Sequence, residues 1–212
     1  MKKEIAKILL EIKAVSVNPE EPFRYASGIL SPIYCDNRII MSYPEKRTNV
    51  IDAFIRTIED NSLSFDIVAG TATAGIPHAA WIAERLGKPM IYIRGHSKEH
   101  GKQNQIEGLL GKGKKVIVIE DLISTGGSSV SAIEAVREAG GIVEDCVAIF
   151  TYGMEKAKMK FKEAKCNVFT LSDFATLVDI AADNGYIEKD KVKMVKEWNS
   201  APSEWGKKIG FE

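Results

Sequence analysis

The stretch Val116-Ile117-Val118-Ile119-Glu120-Asp121-Leu122-Ile123-Ser124-Thr125-Gly126-Gly127-Ser128-Ser129 decides the fold of this chain. Its first four residues are aliphatic with no polar residue between them, which is typical of a parallel strand buried on both faces. Two carboxylates follow, and then a short loop of hydroxyl residues and glycines. A helical pattern begins at Val130 and ends at Gly140-Gly141. The stretch therefore predicts a strand, an anion-binding loop and a helix.

The loop and the two acids suit different parts of one ligand. The two glycines let the backbone turn tightly, so that N–H groups, the hydroxyls of Thr125 and Ser128 and the helix N-terminus can surround a phosphate. Ionised Glu120 and Asp121 only accept hydrogen bonds, which suits the hydroxyls of a ribose and any positive charge that develops on its ring. Together these groups predict a site for a phosphorylated ribose.

The whole run resembles the phosphoribosyl pyrophosphate (PRPP) signature of type I phosphoribosyltransferases, in which an aliphatic strand and two acids precede a Thr-Gly-Gly-Ser loop. It lacks the Gly-Lys-Ser/Thr ending of ATP-type phosphate loops. The alternative is an ordinary strand-turn-helix corner whose hydroxyls cap the helix. The resemblance makes Asp121 a catalytic residue and assigns PRPP binding to Glu120, Asp121, Leu122, Ile123, Ser124, Thr125, Gly126, Gly127 and Ser128.

Composition limits the class of protein. The 212 residues are 45% hydrophobic and 27% charged, which predicts one globular domain over residues 1–212. Lys plus Arg and Asp plus Glu both total 29, so no overall charge favours nucleic acid or a membrane surface. The widely spaced Cys35, Cys146 and Cys166 argue against a disulfide framework and a zinc site. No apolar run reaches the roughly 20 residues of a membrane span, and Met-Lys-Lys-Glu leads into a polar-faced helix, so we expect a cytoplasmic protein.

The N-terminal segment contains a predicted helix and a stretch that carries a second resemblance. Apolar spacing predicts a first helix over Lys3–Val15. The following segment, residues 23–38, resembles the Ser-Gly and Ser-Pro segment of orotate phosphoribosyltransferases, where it forms part of a hood. The resemblance assigns this role to residues 1–43 and orotate binding to Ser27 and Tyr34. The ring of Tyr34 would offer a flat face to a planar heterocycle, and its alternative role is that of a core aromatic.

A second strand-to-helix turn follows a predicted strand over residues 65–70. It reads Thr71-Ala72-Thr73-Ala74 and precedes a helix that runs to Gly87. Its N–H and hydroxyl groups suit an anion, and the resemblance makes Thr71, Ala72 and Thr73 ligands of the pyrophosphate of PRPP. Many orotate enzymes carry a lysine where this chain has Ala74, and some carry one at the position of Ala26, so those cationic contacts are not carried over.

Residues 94–110 form a polar segment without a hydrophobic period, after a predicted strand over residues 89–93. Such a segment is a functional lid or a solvated hairpin. Its spacing of Arg94, Lys98 and His100 resembles the catalytic loop of orotate phosphoribosyltransferases, although Gly95 replaces the family's second cation. The resemblance implies a mobile loop that brings cations to the departing pyrophosphate and reaches the neighbouring subunit of a homodimer.

The C-terminal third predicts a strand over residues 142–152 and a lysine-rich helix over residues 154–165, whose charges we expect on a solvated face. Ser172 is the predicted cap of a helix through Ala182, and a last helix is predicted over residues 187–198. Some relatives carry an arginine near Tyr152 that holds the orotate carboxylate. This chain lacks it, which leaves Ser124 and backbone amides for that role.

Alternating strands and helices predict an α/β fold with a parallel central sheet flanked by helices, a small N-terminal hood and ligand loops at the strand carboxyl ends. The resemblance implies an orotate phosphoribosyltransferase that makes orotidine 5′-monophosphate and pyrophosphate. It also implies Mg²⁺ held mainly by the substrate, with few or no direct protein ligands. The alternatives are transfer to another base and a PRPP-sensing regulator, which would need a nucleic-acid surface that the sequence does not offer.

Overall fold

The computed structural model describes residues 1–25, 27–95 and 105–211. The α-helices are α1 (Lys2–Glu11), α2 (Pro44–Asp60), α3 (Gly75–Leu86), α4 (Gly127–Glu138), α5 (Glu155–Glu163), α6 (Phe174–Asp183), α7 (Val192–Glu197) and α8 (Pro202–Lys208). The strands are β1 (Val15–Val17), β2 (Phe23–Arg24), β3 (Leu30–Ser31), β4 (Ile33–Cys35), β5 (Ile67–Thr71), β6 (Met90–Ile93), β7 (Ile106–Glu107), β8 (Val116–Ile123), β9 (Asp145–Thr151) and β10 (Asn167–Asp173). Short 3₁₀ helices cover Asn37–Ser42, Lys189–Lys191 and Trp198–Ser200.

The central sheet has six strands in the order β10-β9-β8-β5-β6-β7. All neighbouring strands are parallel except β6 and β7, which run antiparallel at one edge. Every residue of β5 is buried, as are the first five residues of β8. The predicted parallel sheet flanked by helices is therefore confirmed, and continuous aliphatic runs form its central strands because both faces are covered.

Successive residues of β8 pack into two different cores. Ile117 and Ile119 join the core that α1, α2, α3, α6 and α7 form on one face. Val116 and Val118 join the core on the other face, under α4 and α5. This alternation is the two-residue period of a strand, and it places α4 and α5 on the same side of the sheet.

The segment before α2 forms two small antiparallel sheets, β1 with β4 and β2 with β3. They pack against the C-terminal end of the chain, where Nε1 of Trp198 donates a hydrogen bond to the Leu30 carbonyl. The hydroxyl oxygens of Tyr25 and Tyr152 lie 3.0 Å apart. The N-terminal segment and the C-terminal helices therefore meet beside the carboxyl end of β9.

Three predicted elements differ from the structure, and one helix was not predicted. The first helix ends at Glu11, and Lys13 has a positive φ of 56°, so Val15 pairs in β1 and does not continue the helix. The central strand continues through both acids to Ile123. The predicted last helix is divided into a 3₁₀ turn, α7 and another 3₁₀ turn, and the sequence analysis missed α8.

The predicted cap of α6 is also wrong. The hydroxyl of Ser172 donates a hydrogen bond to the Lys2 carbonyl, so it holds the N-terminus of the chain. The cap is Asp173, whose carboxylate accepts from the backbone N–H of Thr176. No helix in the described ranges combines the length and apolar character that a membrane span requires.

Candidate active site

Two strand-helix turns meet at the carboxyl ends of β5 and β8. They surround a cavity of about 270 Å³, named here the acidic cavity. Its lining includes Arg94 and Gly95 after β6, as well as Ser128 on α4. The remaining lining residues are Thr71, Ala72, Thr73, Ala74, Ile93, Glu120, Asp121, Leu122, Ser131 and Ala132. Residues predicted from three separate parts of the sequence thus lie around one space.

Glu120 is fixed by hydrogen bonds from two other elements. Its Oε1 accepts from Oγ1 of Thr71 at 2.6 Å, and its Oε2 accepts from Oγ of Ser129 at 2.8 Å. The residue is only 5% exposed, and this burial raises the pKa of its carboxyl group above the ordinary value. Glu120 therefore joins β5, β8 and α4, and its side chain is held rigidly beside the cavity.

Asp121 is the second acid of the cavity, and the N-terminal segment contacts it. Burial raises the pKa of its carboxyl group, and the nearby Arg38 guanidinium acts in the opposite direction. Nδ2 of the buried Asn37 donates a 2.7 Å hydrogen bond to the backbone carbonyl of Asp121. Asn37 fixes the segment after β4 against the acidic pair, a role that the sequence analysis missed.

The phosphate loop, defined as residues 124–128, leads into α4 without a side-chain cap. Gly126 precedes the helix with a φ of 73°, and the N–H of Val130 donates to its carbonyl. In the described chain, no hydroxyl of the loop caps the first turn of the helix, so the alternative of a hydroxyl-capped corner is wrong. These hydroxyls and the first N–H groups of α4 can instead bind an anion.

The side chain of Ile123 contributes nothing to this loop because it lies in the core under α4 and α5. Its carbonyl accepts from the N–H of Tyr152 and from Oγ1 of Thr151. The side chain and carbonyl of Ile123 are thus both used inside the protein, and neither supports its predicted contact with PRPP. Leu122, by contrast, lines the acidic cavity.

The pyrophosphate loop, defined as residues 71–74, also leads into a helix without a side-chain cap. Its Ala72–Thr73 peptide bond is cis. The hydroxyl of Thr71 donates to Glu120, whereas Thr73 is exposed. The next residue, Gly75, is tightly enclosed: a β-carbon there would lie 2.6 Å from both the Ile119 carbonyl oxygen and Oγ1 of Thr71. The Thr71 hydroxyl was predicted to bind pyrophosphate, but it already donates its hydrogen bond to Glu120 within the protein.

Arg94 enters the acidic cavity from the end of β6. Its Nη1 lies 3.3 Å from Oε1 of Glu107 on the antiparallel strand β7. Strand β7 thus lies within the predicted loop 94–110 and pairs with β6, which precedes the loop, and the N–H of Arg94 donates to the Gln105 carbonyl. The catalytic predictions for Lys98 and His100 fall outside the described residues.

A larger cavity of about 790 Å³, named here the hood cavity, lies between the N-terminal segment, the phosphate loop and the chain after α7. Ser27 and Ser124, both predicted to bind orotate, line it together. Tyr34 is absent from its lining: this side chain is 45% exposed, and its ring centroid lies 5.6 Å from that of Phe23.

The sequence analysis missed part of the hood cavity. Trp198, Asn199 and Lys156 also line it. The side-chain oxygen of Asn199 is buried and has no hydrogen-bond partner in the part of the chain that the structure describes. No sequence signal marks the run Trp198-Asn199-Ser200 as part of a site, because its position depends on how the C-terminal helices pack.

Comparisons with known proteins agree with this arrangement. Residues 43–202 match the family model of the phosphoribosyl transferase domain. The chain is 58% identical over 202 residues to the orotate phosphoribosyltransferase of Coxiella burnetii, which spans 95% of this chain and 97% of that protein. It is 56% identical over 198 residues to the orotate phosphoribosyltransferase of Staphylococcus saprophyticus, over 93% of this chain and 98% of that protein.

Solved structures support the same assignment. The orotate phosphoribosyltransferase from Aeropyrum pernix superposes with a TM-score of 0.74 at 28% identity, over 86% of this chain and 99% of that one. Sequence relatives therefore match almost the whole chain, and a related structure shares its fold. The chain belongs to the orotate phosphoribosyltransferase family of type I phosphoribosyltransferases.

Proposed function

We propose that this protein transfers the 5-phosphoribosyl group from PRPP to orotate, giving orotidine 5′-monophosphate and pyrophosphate for pyrimidine synthesis. One observation carries the proposal: the acidic cavity joins the pyrophosphate loop, Arg94 and the acidic pair in one space, beside the phosphate loop. The acidic pair lies between the two loops, as the ribose of PRPP lies between its pyrophosphate and its 5′-phosphate. The pyrophosphate loop, the acidic pair and the phosphate loop therefore suit these three parts of PRPP in turn.

In the proposed reaction, the bond between C1 of the ribose and a pyrophosphate oxygen breaks, and its electron pair leaves with pyrophosphate. A ring nitrogen of orotate forms the new bond to C1 and loses its proton, which the departing pyrophosphate accepts. Asp121 accepts from the ribose hydroxyls and stabilises positive charge on the ring, while Glu120 holds the geometry through Thr71 and Ser129. No side chain acts as a nucleophile.

Arg94 stabilises the leaving pyrophosphate in this proposal. Arg94 lines the acidic cavity, and Nη1 of its guanidinium lies 3.3 Å from the Glu107 carboxylate, so a more highly charged anion in the cavity would compete for the same group. Lys98 and His100 keep their proposed roles as a mobile cation and a hydrogen-bond donor on the catalytic loop.

Mg²⁺ fits this site as a companion of the substrate. Mg²⁺ prefers oxygen ligands and keeps several waters, and among the residues that the structure describes, the carboxylates lining the acidic cavity are those of Glu120 and Asp121. We therefore assign most of its ligands to the pyrophosphate and ribose oxygens of PRPP. When bound, it supplies positive charge to the leaving group.

The base binds in the hood cavity in this proposal, with Ser27 and Ser124 as its polar contacts. Tyr34 stays a predicted contact, which requires its exposed ring to turn toward the base. We also propose a homodimer that shares the catalytic loop, which the exposed apolar side chains of Met41 and Tyr43 support. The unpaired thiols of Cys35, Cys146 and Cys166 support a cytoplasmic location.

A base panel tests the substrate. Purified protein with PRPP and Mg²⁺ is incubated separately with orotate, uracil, adenine and hypoxanthine, and the nucleotide and pyrophosphate products are quantified. The proposal expects equal amounts of both products with orotate and at least a hundredfold lower rate with the other bases. Preferred use of another base would contradict it.

A further inference from the structure

The helix α5 covers the phosphate loop and brings a lysine to it. A β-carbon on Gly126 would lie 3.2 Å from Cε2 of Phe161 and 3.3 Å from Cα of Ala157, so the loop and the helix are in close contact. A β-carbon on Gly127 would lie 3.0 Å from Nζ of Lys160. The lysines of this helix were predicted to form a solvated face, and Lys160 departs from that prediction.

The ammonium of Lys160 lies where another cation is electrostatically unfavourable. Gly127 is the first residue of α4, whose N-terminal end carries the positive pole of the helix dipole. The first turn of α4 contains no acidic residue. Among the described residues, no carboxylate forms an ion pair with Lys160, which is partly buried. Positive charge from two elements is therefore concentrated at one loop, and a bound anion would neutralise it.

The other lysines of α5 differ from Lys160. Nζ of Lys158 pairs with Glu155 at 3.1 Å within the same helix. Lys162 is exposed and lines a separate groove beside Cys166 and Val168. The contact of Lys160 with the phosphate loop is thus specific to one position of the helix and does not follow from its general lysine content.

We propose that Lys160 binds the 5′-phosphate of PRPP, completing the phosphate loop from the α5 side. This inference rests on the proposed function. The loop supplies neutral donors, namely backbone N–H groups and the hydroxyls of Thr125 and Ser128, whereas Lys160 supplies a full charge. Substrate and nucleotide product both carry this phosphate, so Lys160 binds them alike and affects KM more than kcat.

Ribose 5-phosphate tests the inference, because it carries this phosphate but neither pyrophosphate nor base. Its affinity is measured by calorimetry for the wild type and for the variants Lys160→Gln and Lys162→Gln. Both lysines lie in the last turn of α5, so both substitutions remove the same favourable charge from that helix end. We expect about tenfold weaker binding for Lys160→Gln and less than a twofold change for Lys162→Gln.

Two further variants separate charge from packing. Lys160→Arg keeps the charge and should restore most of the affinity. Gly127→Ala keeps the lysine but places a methyl group against its ammonium, so it should also weaken binding of ribose 5-phosphate. In steady-state assays, Lys160→Gln should raise the KM for PRPP about tenfold and change kcat less than twofold.

The outcomes separate this inference from the proposed function. Equal affinity of wild type and Lys160→Gln for ribose 5-phosphate, or equal losses in both glutamine variants, would overturn the role of Lys160 and leave the enzyme activity untouched. Failure of the wild type to bind either ribose 5-phosphate or PRPP would overturn the phosphate site itself, and with it both proposals.

Discussion

Thr71 and Glu120 link the two ligand loops through a 2.6 Å hydrogen bond from Oγ1 of the threonine to Oε1 of the glutamate. Thr71 is the last residue of β5, and Glu120 lies in the neighbouring strand β8. Because both side chains are buried, a substitution of one removes a hydrogen bond that water cannot replace for the other.

Thr71→Val should destabilise the protein by about 1–3 kcal/mol, because it removes a hydrogen bond to a buried carboxylate and leaves that acceptor partly unsatisfied. Urea unfolding measures the change. Thr73→Val is the matched control, since Thr73 is exposed in the same loop, and its free energy of unfolding should change by less than 0.5 kcal/mol. Equal effects of the two substitutions would contradict the importance of the hydrogen bond.

Glu120→Gln should make stability less sensitive to pH. Burial raises the pKa of Glu120 in the folded protein, so its contribution to stability is fully present below the unfolded pKa and is lost as pH rises through the folded pKa. Glutamine has no such titration. The variant should gain stability relative to the wild type between pH 5 and 8, as measured by urea unfolding at each pH, and a constant difference would refute the raised pKa.

His78 should lower the free energy of unfolding of the protein at acidic pH. It is fully buried on α3 near the rings of Phe54 and Trp81, and neither ring nitrogen has a hydrogen-bond partner among the described residues. Burial lowers its pKa from 6.5 to about 4. The unfolded chain therefore binds a proton at a higher pH than the folded protein does, and stability is lost as pH falls from 6.5 toward 4.

His78→Leu removes that proton uptake. The stability difference between wild type and variant should change by about 3 kcal/mol between pH 7 and pH 4. Parallel curves of unfolding free energy against pH for the two proteins would show that His78 is not held neutral. Trp81 remains in place as a fluorescence reporter in both proteins.

Gly75→Ala should disrupt the start of α3. Its methyl group would meet the Ile119 carbonyl oxygen at 2.6 Å, and backbone atoms in a packed core do not move apart easily. We expect a loss of about 3 kcal/mol or more in thermal or urea unfolding. Gly95→Ala is the control, because no atom of the described residues lies within 4 Å of a β-carbon there, and similar losses in both variants would contradict the steric argument.

The sequence predicted the central elements because their signals are local. The aliphatic run of β8 specifies a doubly buried strand, and the glycines after it specify the turn into α4. Both ligand loops follow from the same local pattern. Val15 was misplaced because its apolar character suits a helix face and a strand equally, and the positive φ of Lys13 decides between them.

The contacts that complete the site depend on packing between distant residues. Thr71 meets Glu120 only because β5 and β8 are neighbours in a particular register. Asn37 reaches Asp121 across 84 residues of sequence. Lys160 is one of several similar lysines, and only the close packing of α5 on Gly126 turns its side chain toward the phosphate loop. No spacing rule in the sequence identifies these pairs.

Orotate consumption by the wild type and by Asp121→Asn tests the central claim most directly. Orotate is mixed with PRPP and Mg²⁺, and the fall in its ultraviolet absorbance is followed with time. We expect a loss of absorbance that requires both PRPP and Mg²⁺ and that slows at least a hundredfold in Asp121→Asn. No loss with the wild type, or an unchanged rate in the variant, would contradict orotate transfer at this site.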